Sequence, residues 1–363
     1  PSGCGFWRHA EPSKVEVVEM SLKVAVMGAG CIGAWVGARL AAVGAQVTLI
    51  GRARLRDSID QGGIFACSLQ GDIAAPGAHQ LTVALGPEAV ENAQLVIISV
   101  KGRDTVAAAR SIAPHLHEDA VLVSLQNGLN NPDRIRSALP GHTVVAGMVP
   151  FNVVWEDRPP EDGVYLRQAT SGEVVLGHSD RDAVVQLVEL FGRSGVGVHQ
   201  HPDMTAVQWA KLVLNLNNAI NALSGRSLRD ELQHRGYRRL LAEAMNEAWQ
   251  ALDAAGIRPA AVGRMRPRLA PWILPLPDLL FGILAAPMIR IDTAARSSMA
   301  DDLDRGRLTE VDDINGEVVA LARSTGLTAP VNARLVRLIH EAESRGAGRP
   351  TLSPAELWPE ESP

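Results

Sequence analysis

From Leu22 to about His201, short runs of aliphatic and β-branched residues alternate with stretches in which apolar positions recur every three or four residues. The runs KVAVM (23–27), QVTLI (46–50), LVIISV (95–100), AVLVSL (120–125) and TVVAGMV (143–149) read as strands. EVVLG (173–177) and VGVHQ (196–200) extend the sheet, with a helix expected between them near Ala183–Phe191. Beyond Asp203 the spacing becomes helical as far as about Glu343. The pattern predicts an α/β half made of βαβ units, residues 22–202, followed by an all-α half, residues 203–345. Residues 1–21 read as a disordered extension with Met20 a candidate start, and residues 346–363 as a loose tail.

One segment departs from this alternation. Leu269–Ile291 is long and apolar enough to suggest a membrane span. It also holds Pro271, Pro275, Pro277, Pro287 and Asp278, which an uninterrupted spanning helix does not tolerate. Short buried helices, or a lid over a site, are expected instead; a partner subunit in a homodimer is the other cover such a segment suits.

Composition narrows the class. At 363 residues, with 46% of them hydrophobic, the chain is long enough for two cores. A net charge of −5 gives no general attraction to nucleic acid or anionic membranes. Cys4, Cys31 and Cys67 have neither metal-ligand spacing nor an even-numbered framework, so no metal is expected and a reducing, cytoplasmic compartment is the default. The first residues have no apolar core of signal-peptide length.

The first predicted strand runs into GAGCIG, comprising Gly28, Ala29, Gly30, Cys31, Ile32 and Gly33. This G-x-G-x-x-G follows a strand and opens a helix, the context in which it cradles a dinucleotide pyrophosphate on helix N-terminal amides. The α/β half is therefore read as a Rossmann-type dinucleotide-binding domain. At the end of the second strand, where an NAD site usually carries an acid, stand Gly51 and Arg52. A guanidinium there suits a 2′-phosphate, so NADPH is the expected cofactor. Arg54 and Arg56 fit a solvated helix start as well as a ligand role.

Two further loops fall at strand C-termini. Lys101 follows LVIISV and is suited to holding an acidic group, while Asn127 in SLQNG is suited to bonding substrate or nicotinamide ribose. Asn-Gly is equally an ordinary turn dipeptide. In the helical half, WAKLVLNLNNAINALS puts Lys211, Asn215 and Asn218 on one face, with Asn217 and Asn221 along another. An ammonium and four carboxamides among aliphatic residues form either a catalytic cluster or one solvated face. Further on, Ser298 suits a helix cap and Glu310 a solvated acidic face with Asp301, Asp302, Asp304, Asp312 and Asp313.

Together GAGCIG, VKGRDT, LQNGLN, WAKLVLN and SSMADDL followed by TEVDDING resemble the ketopantoate reductase (2-dehydropantoate 2-reductase) family, in its order and spacing from Leu22 to about Glu343. The resemblance implies NADPH-dependent reduction of a 2-keto acid, with Lys211 as proton donor and Glu310 beside it and the substrate. It implies substrate contacts for Asn215 and Ser298, and puts Lys101 and Asn127 in the cofactor–substrate cleft; Asn218 stands one position before the family's second substrate asparagine. That position is Ala219 here, and Ala295 stands where the family often has Asn. The chemistry agrees with the residues: an ammonium stabilises charge growing on a ketone oxygen and supplies its proton, which arginine does not readily do. The leading expectation is reduction of 2-dehydropantoate to pantoate in pantothenate biosynthesis. The two missing amides leave open a paralogue acting on another 2-keto acid or ketone. A non-catalytic NADP(H)-binding redox sensor is the reading from another class, told apart by cofactor binding without turnover.

Overall fold

The computed structural model describes residues 21–156, 163–261, 267–284 and 295–360. The expected extension therefore lies almost wholly outside the described residues. The first half begins with β1 (Lys23–Met27), α1 (Cys31–Ala42), β2 (Gln46–Ile50), α2 (Ala53–Gly62), β3 (Ile64–Cys67), β4 (Ile73–Ala74) and β5 (Leu81–Ala84). It continues through β6 (Leu95–Ile98), α3 (Thr105–Ile112), β7 (Val121–Ser124), α4 (Asn131–Ala138), β8 (Val144–Met148) and β9 (Val153–Glu156). β10 (Val164–Gln168), β11 (Val174–Gly177), α5 (Asp182–Arg193) and β12 (Val198–His201) complete it.

Eight strands form one sheet in the order β12-β11-β8-β7-β6-β1-β2-β5. The six from β5 to β8 are parallel, β11 pairs antiparallel with β8, and β12 pairs parallel with β11. β6 and β7 are buried at every position because helices cover both faces, α1 and α5 on one and α3 and α4 on the other. From β1 the chain moves to β2 on one side and later returns to β6 on the other. The C-terminal ends of β1 and β6 thus form the switch point at which such sheets open a ligand crevice.

The remaining strands form a small sheet, β4-β3-β10-β9, packed against α1. The Trp35 indole on α1 donates to the Cys67 carbonyl at 3.0 Å, and its ring meets Phe151 edge-on. Neither this sheet nor β5 was legible as strand in the sequence. Its members (IFAC, IA, VVWE and VYLRQ) lack the continuous aliphatic runs that mark the strands of the larger sheet.

The second half is helical: α6 (Met204–Asn215), α7 (Asn217–Ser224), α8 (Leu228–Gln233), α9 (Arg235–Ala254), α10 (Ala270–Ile273), α11 (Asp278–Leu284) and α12 (Ser298–Asp304). A π-helical turn, Asp312–Gly316, leads into α13 (Glu317–Ser324), then α14 (Pro330–Ser344) and α15 (Pro354–Leu357). α9 supplies a central apolar face, with Leu240, Ala244, Ala248 and Leu252 buried, and packs chiefly against α13, α10 and α14. The α/β fold followed by an all-α half agrees with the sequence pattern.

Two expectations are corrected. The tail is not loose: the Leu352 amide donates to the Leu223 carbonyl at 2.9 Å, Tyr237 donates to the Leu352 carbonyl at 2.7 Å, and Leu357 is fully buried. A Ser353–Glu356 capping box starts α15, a local signal overshadowed by the prolines around it. The Leu269–Ile291 stretch, described as far as Leu284, does form short helices, but they are not buried as a whole. Arg238, fully buried, gathers the Leu274 and Leu276 carbonyls and Asp278, while Trp272, Leu279 and Ile283 are 79%, 78% and 66% exposed. No helix of the described residues is long and apolar enough to cross a membrane.

Candidate active site

The glycine-rich turn lies at the switch point and its packing explains its glycines. Gly28 has φ +102°, and a Cβ there would stand 2.6 Å from the Val100 amide nitrogen. At Gly33 a Cβ would stand 2.3 Å from the Ser99 hydroxyl, which itself donates to the Gly28 carbonyl at 2.8 Å. Gly30 differs: a Cβ there would meet nothing within 4 Å, so open space fronts the start of α1. Gly30 is the N-cap of α1 and gives its amides no side-chain partner. Ala29, Cys31 and Ile32 complete the turn, half-buried except for the rim at Gly30. Free helix amides beside open space fit a pyrophosphate.

Arg52 caps the start of α2 at the end of β2, exposed and without a side-chain partner among the described residues. Arg56, by contrast, is paired with Asp57 at 2.8 Å.

Four predicted residues converge opposite this turn. The Lys211 ammonium on α6 donates to Asn127 Oδ1 at 2.8 Å and to the Val149 carbonyl at the end of β8. Asn127 Nδ2 donates to Glu310 Oε2 at 3.1 Å, and Glu310 Oε1 accepts from the Gly102 amide at 3.3 Å. Lys101 lies 3.9 Å from Glu310 and 2.8 Å from Asp302. Lys211 and Glu310 are therefore joined through the Asn127 carboxamide, not by a direct ion pair. Two of the three ammonium protons are engaged, leaving one for the cavity. Burial brings the Lys211 pKa down to about 8, partly opposed by the Glu310 charge.

The cavity at Lys211 is lined by Asn127, Gln208, Asn215, Met148 and Ile314, among others. It is a narrow space with room for about one water. Polar contacts join the two halves here, Lys101–Asp302, Arg134–Asp313 at 2.8 Å and Arg103 to the Leu308 carbonyl at 3.1 Å, beside an apolar seam of Met148, Val175, Met204 and Val207.

The other predicted residues divide. Asn215 lines the cavity one turn beyond Lys211. The helix is interrupted at Leu216, and Asn218, half-buried on α7, accepts through its carbonyl from Ser297 at 3.0 Å. Ser297, not Ser298, caps α12, which leaves the exposed Ser298 hydroxyl free at the helix start. Asn217 and Asn221 serve a different purpose, bonding the buried Glu231 on α8, whose carboxyl burial pushes up to about 8. Ala219 is fully buried in the helical core and Ala295 is half-buried.

Sequence reasoning missed several participants. Asp302 and Asp313, expected on a solvated face, are buried and paired across the cleft. Burial raises the Asp302 carboxyl and Lys101 opposes the rise. Gln126 ties the strand ends together, donating to the Val100 carbonyl at 2.9 Å and to Thr105 at 2.7 Å. The i, i+4 spacing of Asp302 from Ser298 was the available signal. It was masked by the run of acids around it.

A Rossmann-type sheet with a glycine-rich turn at its switch point, joined to a helical second domain that brings a half-buried lysine to the strand ends, defines a two-domain dehydrogenase. The comparisons carry this further. Residues 24–181 match the model of Ketopantoate reductase PanE/ApbA, and residues 203–343 match that of Ketopantoate reductase PanE/ApbA C terminal. The chain belongs to the ketopantoate reductase family, oxidoreductases acting on CH–OH groups. It is 27% identical over 331 residues to the 2-dehydropantoate 2-reductase of Halobacterium salinarum, covering 90% of this chain and 100% of that protein. The crystal structure of the PanE/ApbA family ketopantoate reductase from Ralstonia eutropha JMP134 superposes with a TM-score of 0.73 at 29% identity, over 89% of this chain and 99% of that one. D-mandelate dehydrogenase, solved with NADH and anilino(oxo)acetate, shares the fold at 20% identity and a TM-score of 0.68, over 89% and 99% of the two chains.

Proposed function

We propose that the protein reduces 2-dehydropantoate to pantoate with NADPH, with Lys211 as the proton donor. The observation that carries this reading is the half-buried Lys211 ammonium, linked through Asn127 to Glu310 beside the switch point of the sheet. Bound NADPH supplies the hydride. Lys211 donates its free N–H to the ketone oxygen, stabilises the charge that grows there and releases a proton to it. A pKa near 8 keeps the amine protonated at neutral pH yet makes it a readier acid than a surface lysine. Asn127 orients the ammonium, and Glu310 favours its charged form. Asn215, Asn218 and Ser298 are assigned to the substrate's carboxylate and hydroxyl. The Gly28–Gly33 turn, Arg52, Lys101 and Asn127 are assigned to the cofactor.

The test is a panel of 2-keto acids with NADPH and NADH. Fastest turnover of 2-dehydropantoate with NADPH is expected. One observation favours a second reading, a reductase of another 2-keto acid: Ala219 and Ala295 offer no amide to a substrate hydroxyl. A dehydrogenase that shares this fold is named for a different substrate, the 2-hydroxy acid mandelate. Preference in the panel for a keto acid without a hydroxyl would select that reading.

A further inference from the structure

We propose that Arg305, carried by the helical half, is a ligand of the cofactor's pyrophosphate and closes on it from the side opposite the glycine-rich turn. The inference rests on the reading of that turn as the dinucleotide site. Its basis is a chain of contacts across the cleft. Ser99 and Val100 lie directly against Gly28 and Gly33, so Lys101, the next residue, borders the turn. Lys101 binds Asp302 at 2.8 Å and thereby pins α12 against the same loop. Ser298, Asp302 and Arg305 follow one another at i, i+4 and i+7, a single helical face, and the Arg305 amide still bonds the Asp301 and Asp302 carbonyls. Arg305 therefore leaves the helix on the side that meets the nucleotide domain.

Its guanidinium is exposed and has no hydrogen-bond or ion-pair partner among the described residues. The Cys31 thiol, in the first turn of α1, is raised chiefly by burial; of the charges acting on it, that of Arg305 is the strongest, followed by Asp301 and Lys101. Asp304, the other acid at this end of α12, is already taken by Arg296 at 3.1 Å and Arg349 at 2.9 Å. Lys101 and Asp302 neutralise each other, which leaves Asp301 and Arg305 at this end of α12, and of these only Arg305 can donate to an anion. An anion on the open amides of α1 would meet a planar fork of donors that matches two phosphate oxygens.

Such a contact reads a group common to NADPH and NADH, unlike Arg52, which faces the 2′-phosphate end. The test is equilibrium binding of NADPH and NADH to the full-length protein, followed by cofactor fluorescence, for the wild type, Arg305→Ala, Arg52→Ala and Arg323→Ala. Arg323 is an exposed arginine on α13 and controls for the loss of one positive charge. Arg305→Ala is expected to weaken both cofactors by about tenfold, as for one charged hydrogen-bonding group. Arg52→Ala should weaken NADPH alone, and Arg323→Ala neither. Wild-type affinity for both cofactors in Arg305→Ala, or a loss confined to NADPH, would overturn the assignment while leaving the cofactor site standing. Failure of the wild type to bind either dinucleotide would overturn the cofactor reading and this inference with it.

Discussion

At Lys211 one side chain combines half-buried placement, two oxygen partners and a free proton facing a cavity. Burial disfavours its charged form, so its pKa falls to about 8. A proton donor must be protonated to act, so the rate of ketone reduction should hold steady through neutral pH and fall as pH rises through about 8. A pH–rate profile flat to pH 10 would remove Lys211 from that role. The proposed role of Arg52 on the 2′-phosphate predicts that Arg52→Gln raises the Michaelis constant for NADPH about tenfold or more and leaves that for NADH nearly unchanged, because one charged contact is lost. Lys211, Asn127 and Glu310 were each visible in the sequence as polar residues out of keeping with their surroundings or matched to a family motif. Their mutual geometry was not. It depends on the Asn127 carboxamide standing between Lys211 and Glu310, 84 and 183 positions away from it, and no local pattern encodes that.

The glycine-rich turn separates two uses of the same residue. Gly33 is packed tightly against Ser99, while Gly30 faces open space. Gly30→Val is therefore predicted to fold as the wild type does, with its melting temperature within a few degrees, yet to bind dinucleotide at least about tenfold more weakly, since the branched side chain fills the phosphate's approach. Gly33→Val should lose stability as well as binding, because its side chain has nowhere to go. A Gly30→Val protein that binds NADPH normally would mean the turn is not the cradle. Elements with strong patterning, such as α5 and the central strands β1, β2, β6, β7 and β8, were readable because burial on one or both faces forces the apolar pattern. The small sheet and α15 were not, since their stability comes from docking on α1 and α9 rather than from their own short sequences.

The whole molecule buries several carboxyl groups whose pKa values are raised by desolvation, Glu231, Glu247, Asp302 and Glu317 among them. Glu231 keeps its proton in the folded state up to about pH 8, whereas the unfolded chain releases it near the ordinary 4.5. Between those values the unfolded state binds fewer protons, so stability falls as pH rises and levels off above about 8. Glu231→Gln removes that contribution, and its denaturation midpoint relative to the wild type should climb from pH 5 to pH 8. A constant difference across that range would mean Glu231 is ionised in the fold. The two halves meet through the ion pairs Lys101–Asp302 and Arg134–Asp313 and through an apolar seam of Met148, Val175, Met204 and Val207, an arrangement that no reading of the sequence predicts. The central claim is that this cleft reduces 2-dehydropantoate with a proton from Lys211. Its most direct test is NADPH oxidation by wild-type and Lys211→Ala protein with 2-dehydropantoate, alongside NADPH binding to both. The account predicts substrate-dependent oxidation by the wild type and a loss of about a hundredfold or more in the variant, with NADPH affinity retained. Undiminished turnover in Lys211→Ala, or a wild type that binds NADPH and leaves 2-dehydropantoate untouched, would contradict it.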